Sequence, residues 1–382
     1  MSAKPHPLTH ACTRLRRRHV AAALGLCLSL MTAGCAQFAY YRQSAAGQMD
    51  IISRRQSIDA LIADDSRSAE LRARLEQVRE IRAFAVRELG LPDTGSYTRY
   101  ADLHRGYAVL ALYAAPEFST RLKTWCYPVA GCAAYRGYFD RDMLKADAGA
   151  LRAQGYDVYV AAVPAYSTLG WFDDPLLSTV IDWPAPQLAG LVFHELAHQQ
   201  LYVKGDTAFN ESFATAVEQA GVERWLQSRG DGAALARYRA DRRHRDQVVT
   251  LLDTARERLQ ALYDRDLPEA DMRAAKRRRL DEVRQQYREL RQGWDNDPGS
   301  DNWFRAPLDN ARLGSLAAYH DHVDAFLAVL AGEGGDFRAF YAEAARIGAM
   351  PAQARETQLA ALQGRLHAGP IDDAVGGVRS QE

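Results

Sequence analysis

His194-Glu195-Leu196-Ala197-His198, with Asn210-Glu211-Ser212-Phe213-Ala214-Thr215 close behind it, is the stretch that decides how this 382-residue chain is read. Pro184 and Pro186 mark the start of a helix whose apolar positions include Leu188, Leu191 and Val192, and Gly205 provides a stop. On a helix, residues four apart lie one turn apart on the same face, so His194 and His198 can bind one tetrahedral metal ion. Glu195 projects about 100° round the helix, where its carboxylate can take a proton from an attacking water. A catalytic zinc takes three protein ligands and keeps a fourth position open, so a third donor must come from a neighbouring element. The next helix opens near Thr207 or Asn210 and runs to about Leu226. Glu211, separated from His198 by 12 residues, leaves room for a turn and an antiparallel return, and is the expected third ligand.

From Asp50 to Leu89 the pattern is helical, with Leu71, Leu75, Val78, Ile81, Ala85 and Leu89 recurring every three to four positions. Asp65 or Ser66 stands where its N-cap belongs, and Gly90, Pro92 and Gly95 end it. Tyr107 to Tyr113 and Asp157 to Val163 read as strands, because β-branched and aromatic residues lie between Gly and Pro. Ala233 to Arg291 is helix-forming and charged, broken once at Asp266-Leu267-Pro268, which predicts a two-helix antiparallel hairpin. Its basic cluster, Lys276 to Arg279, is followed at once by Asp281 and Glu282, the pattern of a solvated helix face. Residues 307–331 and 335–347 again read as helix, and beyond His367 the composition suits a loose tail. The expected fold is α+β and predominantly helical. N-terminal helices, a small sheet and the metal site occupy 50–232, the hairpin 233–293, C-terminal helices 294–366 and the tail 367–382.

Composition narrows the function. Hydrophobic residues at 47% and charged residues at 25% fit a soluble globular chain and exclude a disordered or multi-span membrane protein. Lys+Arg and Asp+Glu number 48 each, so no net charge draws the chain to nucleic acid. Residues 1–34 hold Lys4, Arg14, Arg16, Arg17 and Arg18, no acid, and an apolar run from Val20 to Ala33, too short to span a bilayer as a helix. This reads as a signal peptide. Thr32-Ala33-Gly34-Cys35 resembles a lipobox, which implies cleavage before Cys35, lipid on that cysteine, and residues 35–49 as the linker from the anchor. Ala36, in place of the Asp that favours inner-membrane retention, points to the periplasmic face of the outer membrane in a bacterial envelope. Without the leader the chain has 43 basic and 48 acidic residues, a net charge of about −5. Cys126 and Cys132, the remaining pair, read in an oxidising compartment as a small-loop disulfide.

The sequence H-E-L-A-H-Q followed by N-E-S-F-A-T resembles the gluzincin zinc metallopeptidases, and especially their aminopeptidases, over residues 185–225. The whole chain, with its leader, its paired cysteines and Gly170-Trp171-Phe172-Asp173-Asp174-Pro175, is similar to a bacterial family of aminopeptidase lipoproteins. The resemblance implies a gluzincin-like core, one Zn2+ per chain held by His194, His198 and Glu211, and Glu195 as the base acting on peptide substrates. Glu218, separated from His198 by 19 residues, is nearer the usual ligand spacing, yet Glu211 follows an Asn as the family ligand does. Glu218 then fits a supporting role, accepting the free ring N–H of a ligating histidine. The family commonly uses Tyr or His to stabilise the oxyanion; Tyr319 is the candidate, with Tyr202 and His320 as alternatives. It also lays substrate along a strand edge, for which Asp157 to Val163 with Tyr166 to Gly170 is placed. Recognition of a substrate α-ammonium falls to Glu117, Asp173 or Asp174.

Three functions remain open on this reading: an aminopeptidase, an endopeptidase acting on envelope proteins, and a lipid-anchored scaffold in which zinc only braces helices and the hairpin binds a partner. Glu195 weighs against the scaffold, since metal binding does not need it and hydrolysis does. No Gly-rich phosphate loop and no serine in a nucleophile elbow supports another chemistry.

Overall fold

The apolar spacing that predicts one helix from Asp50 to Leu89 is divided in the computed structural model, which describes residues 37–127, 131–165, 173–294, 300–316 and 322–366. Helix α1 (37–53) is followed by strand β1 (Arg55–Ser57), helix α2 (Ile58–Ala63) and helix α3 (Ala69–Glu88). The caps explain the division. Ser57 accepts from the Ala60 amide, and Ser68, instead of Asp65 or Ser66, accepts from the Leu71 amide to start α3. Asp64 turns its carboxylate onto Ser66 and so holds the break between them. Gly90, at φ +65°, ends α3 as expected. Cys35, Tyr166 to Gly170, Tyr319, His320 and the 367–382 tail lie outside the described residues.

Among the described residues helix accounts for 63% and strand for 11%, an α+β and predominantly helical fold with small sheets. Strand β2 (Arg99–Ala101) pairs antiparallel with β1 and parallel with a two-residue strand at Leu176–Leu177. The larger sheet centres on β3 (Val109–Pro116), which pairs antiparallel on both sides, with β6 (Arg136–Tyr138) and β7 (Tyr156–Val163). Between them β4 (Trp125–Tyr127) and β5 (Gly131–Ala133) form a hairpin in which Cys126 faces Cys132 directly and is joined to it by a disulfide. Alternation sorts β3 into two faces. Leu110, Leu112 and Ala114 pack with Leu144, Ala148 and Leu151 of helix α4 (Arg141–Ala153), an element the sequence reading did not identify. Ala111, Tyr113 and Ala115 turn the other way, towards Ala311.

Helices α5 (Ala185–Gln200) and α6 (Thr207–Ser228) carry the H-E-L-A-H and N-E-S-F segments through the main core. On α5, Leu188, Ala189, Val192, Phe193, Leu196 and Ala197 form one fully buried stripe. Burying each of the larger of these side chains contributes about 1.5–3 kcal/mol, so folding alone fixes the helix that presents both histidines. On α6, Phe213 packs among Phe326, Phe340 and Tyr341 of helices α11 (Val323–Gly332) and α12 (Phe337–Gly348). A Cβ at Gly221 would meet Leu89 Cδ1 at 2.8 Å and Phe193 Cδ2 at 2.9 Å, so only glycine allows this approach of α6 to α5 and α3.

Helices α7 (Gly232–Tyr263) and α8 (Glu269–Gln292) form the hairpin, with Pro268 before α8 at the break. Val248, Leu252 and Leu259 face Leu280, Val283 and Tyr287 in a separate core that also holds Trp294 and Phe304. Lys276 corrects the solvated-face expectation for its cluster. It is buried, 2.6 Å from Asp157 of β7, and donates to the Glu117 carbonyl. The 307–331 expectation also breaks up, into α10 (Asn310–Gly314) and α11, while α9 (Asp301–Arg305) and α13 (Ala352–Leu366) are further helices. No helix of the described residues is long and apolar enough to cross a membrane.

Candidate active site

The short connection between α5 and α6 is pinned by the asparagine that precedes Glu211. Asn210 is buried, its Oδ1 accepts from the Val203 amide at 2.7 Å, and its Nδ2 donates to the Val203 carbonyl at 2.8 Å. Asp206 caps α6 through the Phe209 amide and pairs with Arg355 at 2.6 Å. The first turn of α6 is thereby fixed against the end of α5, and Glu211 follows it into place. Higher on the pair, a Cβ at Gly190 would stand 3.1 Å from Glu218 Oε1, so the glycine leaves room for that carboxylate beside α5.

His194, His198 and Glu211 come together, with their ligand atoms all within 4.8 Å of one another. Glu211 Oε2 lies 3.5 Å from His194 Nε2, and Oε1 lies 3.7 Å from His198 Nε2. Zinc–ligand bonds of about 2.0–2.2 Å put ligand atoms of a tetrahedron about 3.3–3.6 Å apart, so this donor set fits one such ion. On its other side His194 Nδ1 is 3.2 Å from Glu218 Oε2, the carboxylate contact that orients a ligating imidazole. Glu218 therefore stands behind His194, and Glu211 between the two rings. His198 is buried and its Nδ1 has no hydrogen-bond partner among the described residues.

Charge matches geometry. Burial works against a charged His194, yet hydrogen bonds with Glu211 and Glu218 and the field of Glu195 outweigh it and push its pKa up to about 10. Burial and the neighbouring His194 charge hold His198 down at about 4. Burial also acts on Glu211, but the hydrogen bond with His194 prevails and holds its carboxyl below the usual range. The site thus concentrates anionic oxygen around two imidazoles, the environment of a divalent cation.

Glu195, beside His194, lines a cavity of about 900 Å3 with His194 and Glu218. Two tyrosines not singled out in the sequence lie within its field. Desolvation of its hydroxyl first, then the charges of Glu211 and Glu195, raise Tyr135 above the ordinary range, although the residue as a whole is 39% exposed; its ring packs on Tyr113 at 5.6 Å. Tyr97, fully buried and at φ +59°, is pushed well up by burial, Glu195 and Asp174. Among 18 tyrosines neither has a sequence signal, because the fold alone brings them near α5.

The remaining expected residues are dispersed. Tyr202 is 49% exposed in the α5–α6 connection. Asp174 is buried, accepting from the Tyr97 amide at 2.8 Å and donating its own amide to Ser96 Oγ, and neither it nor Asp173 lines the cavity. Ser96 also accepts from Gln199 Nε2, so this segment braces the end of α5. Glu117 is held by Arg273 of α8 through two hydrogen bonds of 2.7 and 3.0 Å. Strand β7 is at a sheet edge, as a substrate-binding strand would be.

No curated protein and no solved structure matches the chain. A family model does, over residues 39–359, and it spans the sheet, both metal-site helices and the hairpin. The chain belongs to the family described as "Putative aminopeptidase".

Proposed function

We propose that the protein is a gluzincin-type zinc peptidase that removes N-terminal residues from peptides in the bacterial envelope, tethered by lipid on Cys35. The observation that carries this reading is the convergence of His194, His198 and Glu211 beside Glu195, which itself opens onto the cavity. Zinc held by the triad supplies Lewis-acid polarisation of the scissile carbonyl and acidifies water. Glu195 takes the proton of the attacking water and passes it to the leaving amine, a role worth about 10²–10⁴-fold in rate. Glu218 keeps the His194 ring in register through Nδ1. The Tyr135 hydroxyl, held protonated near Glu195 and Glu211, donates to the oxyanion of the tetrahedral intermediate.

The tether has support of its own. Helix α1, described from residue 37, exposes Phe38, Tyr41 and Met49, at spacings of three and eight, along one side. Such an apolar stripe suits a helix lying at a lipid surface.

Mass spectrometry of a mixed pool of free and N-acetylated peptides, incubated with the zinc-loaded protein, tests the activity. The expected result is stepwise loss of N-terminal residues from free peptides only, reduced at least 100-fold in Glu195→Gln while zinc is retained. Internal cuts in both pools would make the enzyme an endopeptidase, and no cleavage by zinc-loaded protein would leave the scaffold.

A further inference from the structure

The cavity beside Glu195 has a second wall, contributed by helix α7 of the hairpin. Ala234, Arg237, Tyr238, Asp241 and Arg245 line it at spacings of three and four, so one face of α7 is turned to the cavity along about 16 Å. Across from it stand Trp183 and Leu191, on the approach to and along α5. Hydrolysis as derived above uses none of the α7 groups.

Tyr238 is only 6% exposed, and its hydroxyl has no hydrogen-bond partner among the described residues. A buried hydroxyl without a partner is a standing cost that a native fold rarely keeps without use. Burial and the nearby Glu218 charge hold it protonated, hence a donor. Arg237 and Arg245 flank it on the same face, and neither forms an ion pair with a described residue. The contrast with Arg239 and Arg242 is direct, since both of those close on Glu223 at 2.6 and 2.9 Å. Asp241 lies four residues from each cavity arginine, and Asp231 caps α7 through the Ala234 amide. The two guanidiniums are donors only and the protonated hydroxyl can donate beside them, so an anionic acceptor satisfies all three at once.

We infer that the α7 face is a substrate subsite in which Arg237, Tyr238 and Arg245 bind a carboxylate of the peptide. The hairpin thereby sets specificity towards peptides that carry a terminal carboxylate or an acidic side chain within reach of Glu195. This inference rests on the peptidase reading.

Calorimetric titration of zinc-loaded Glu195→Gln with matched short peptides tests it. One pair differs in a free or amidated C-terminus, the other, amidated, in Glu or Gln at an internal position. At least one acid peptide is expected to bind about tenfold more tightly than its neutral counterpart, and the pair that shows it identifies which carboxylate is read. In Arg237→Ala/Arg245→Ala that ratio falls to within about twofold, whereas Arg243→Ala, exposed on the same helix and outside the cavity, keeps it. Tyr238→Phe weakens the acid peptide about fivefold while the melting temperature of the free protein holds or rises, because an unsatisfied hydroxyl is removed. A purely structural Tyr238 would instead lower it. Equal affinities within both pairs, or a ratio unchanged in the double variant, overturn the subsite. Cleavage of the same peptides by the wild-type protein separates the two levels. Cutting without acid preference leaves the peptidase and removes the subsite; neither binding nor cutting removes both.

Discussion

Replacing Glu211 should cost more metal affinity than replacing Glu218, although both carboxylates touch His194. Glu211 reaches both Nε2 atoms, at 3.5 and 3.7 Å, whereas Glu218 reaches only Nδ1 of one ring, at 3.2 Å. Structural zinc sites gain about 10–16 kcal/mol from four ligands, or about 2.5–4 kcal/mol for each. Glu211→Ala should therefore weaken zinc by roughly 70- to 900-fold. Removing a carboxylate that orients a ligand costs about 10–100-fold, which is the expectation for Glu218→Ala. Glu218→Gln keeps an oxygen that can accept from His194 Nδ1, so its loss should stay below about tenfold. The first two ranges meet near 100-fold, and the order within one experiment is the decisive quantity. Competition against a chromogenic chelator at fixed pH gives all three constants, with circular dichroism melts to establish that each variant is folded. A larger loss for Glu218→Ala than for Glu211→Ala would reassign the third ligand.

The pKa of His194 sets the pH dependence of metal binding. Its metal-free value is raised from 6.5 to about 10, so near pH 7 the proton is bound and must leave. Zinc affinity should rise about tenfold per pH unit between pH 6.5 and 8, with about one proton released per zinc in calorimetry across buffers of different ionisation enthalpy; a flat pH profile would contradict this. In the hairpin, Lys276→Met strands the Asp157 carboxylate in a pair whose side chains are only 10% and 17% exposed. It should destabilise the protein by about 3 kcal/mol, and Lys276→Met/Asp157→Asn by less, in urea unfolding. A loss below about 1 kcal/mol for the single variant would show that the pair anchors nothing.

Local signals made the metal-site helices legible. Helical spacing, two prolines before α5 and a connection too short to wander place His194, His198 and Glu211 within reach of each other before any tertiary contact is known. The Asn before Glu211 was legible only as part of a motif, and its physical reason is the pair of bonds to Val203. Where partners are remote, the same reasoning fails. Three residues of β1 look helical in sequence and are strand because Arg55 to Ser57 align with Arg99 to Ala101. Lys276 looks solvated because its counter-charge, Asp157, is 119 residues away. Helix α4 does carry local signals: Asp140 caps it, and Leu144, Ala148 and Leu151 recur at helical spacing. Tyr135, in the bend before β6, feels the charges of Glu195 and Glu211, and Tyr238 lines the cavity from the hairpin, and no spacing rule connects either to α5.

The arrangement of charge also explains why so much of the fold serves two helices. Glu195, Glu211 and Glu218 bring three formal negative charges to one face, and held close together they would repel each other if nothing intervened. In the metal-free protein the His194 proton offsets one of them and burial keeps His198 neutral; a bound dication displaces that proton and offsets two. Such a cluster cannot hold itself together. It is kept in place by apolar burial on the opposite faces, where Phe193, Leu196, Phe209 and Phe213 are all fully buried. The bonds of Asn210 to Val203 and of Asp206 to Arg355 then prevent the connection from relaxing outward. The hairpin supplies no member of the triad; it braces α6 through Arg239 and Arg242 on Glu223 and lines the cavity with the face that carries Tyr238. If α7 holds the proposed subsite, metal geometry and substrate selection lie on different helices, and substitutions at Arg237 and Arg245 change what is bound without removing a metal ligand.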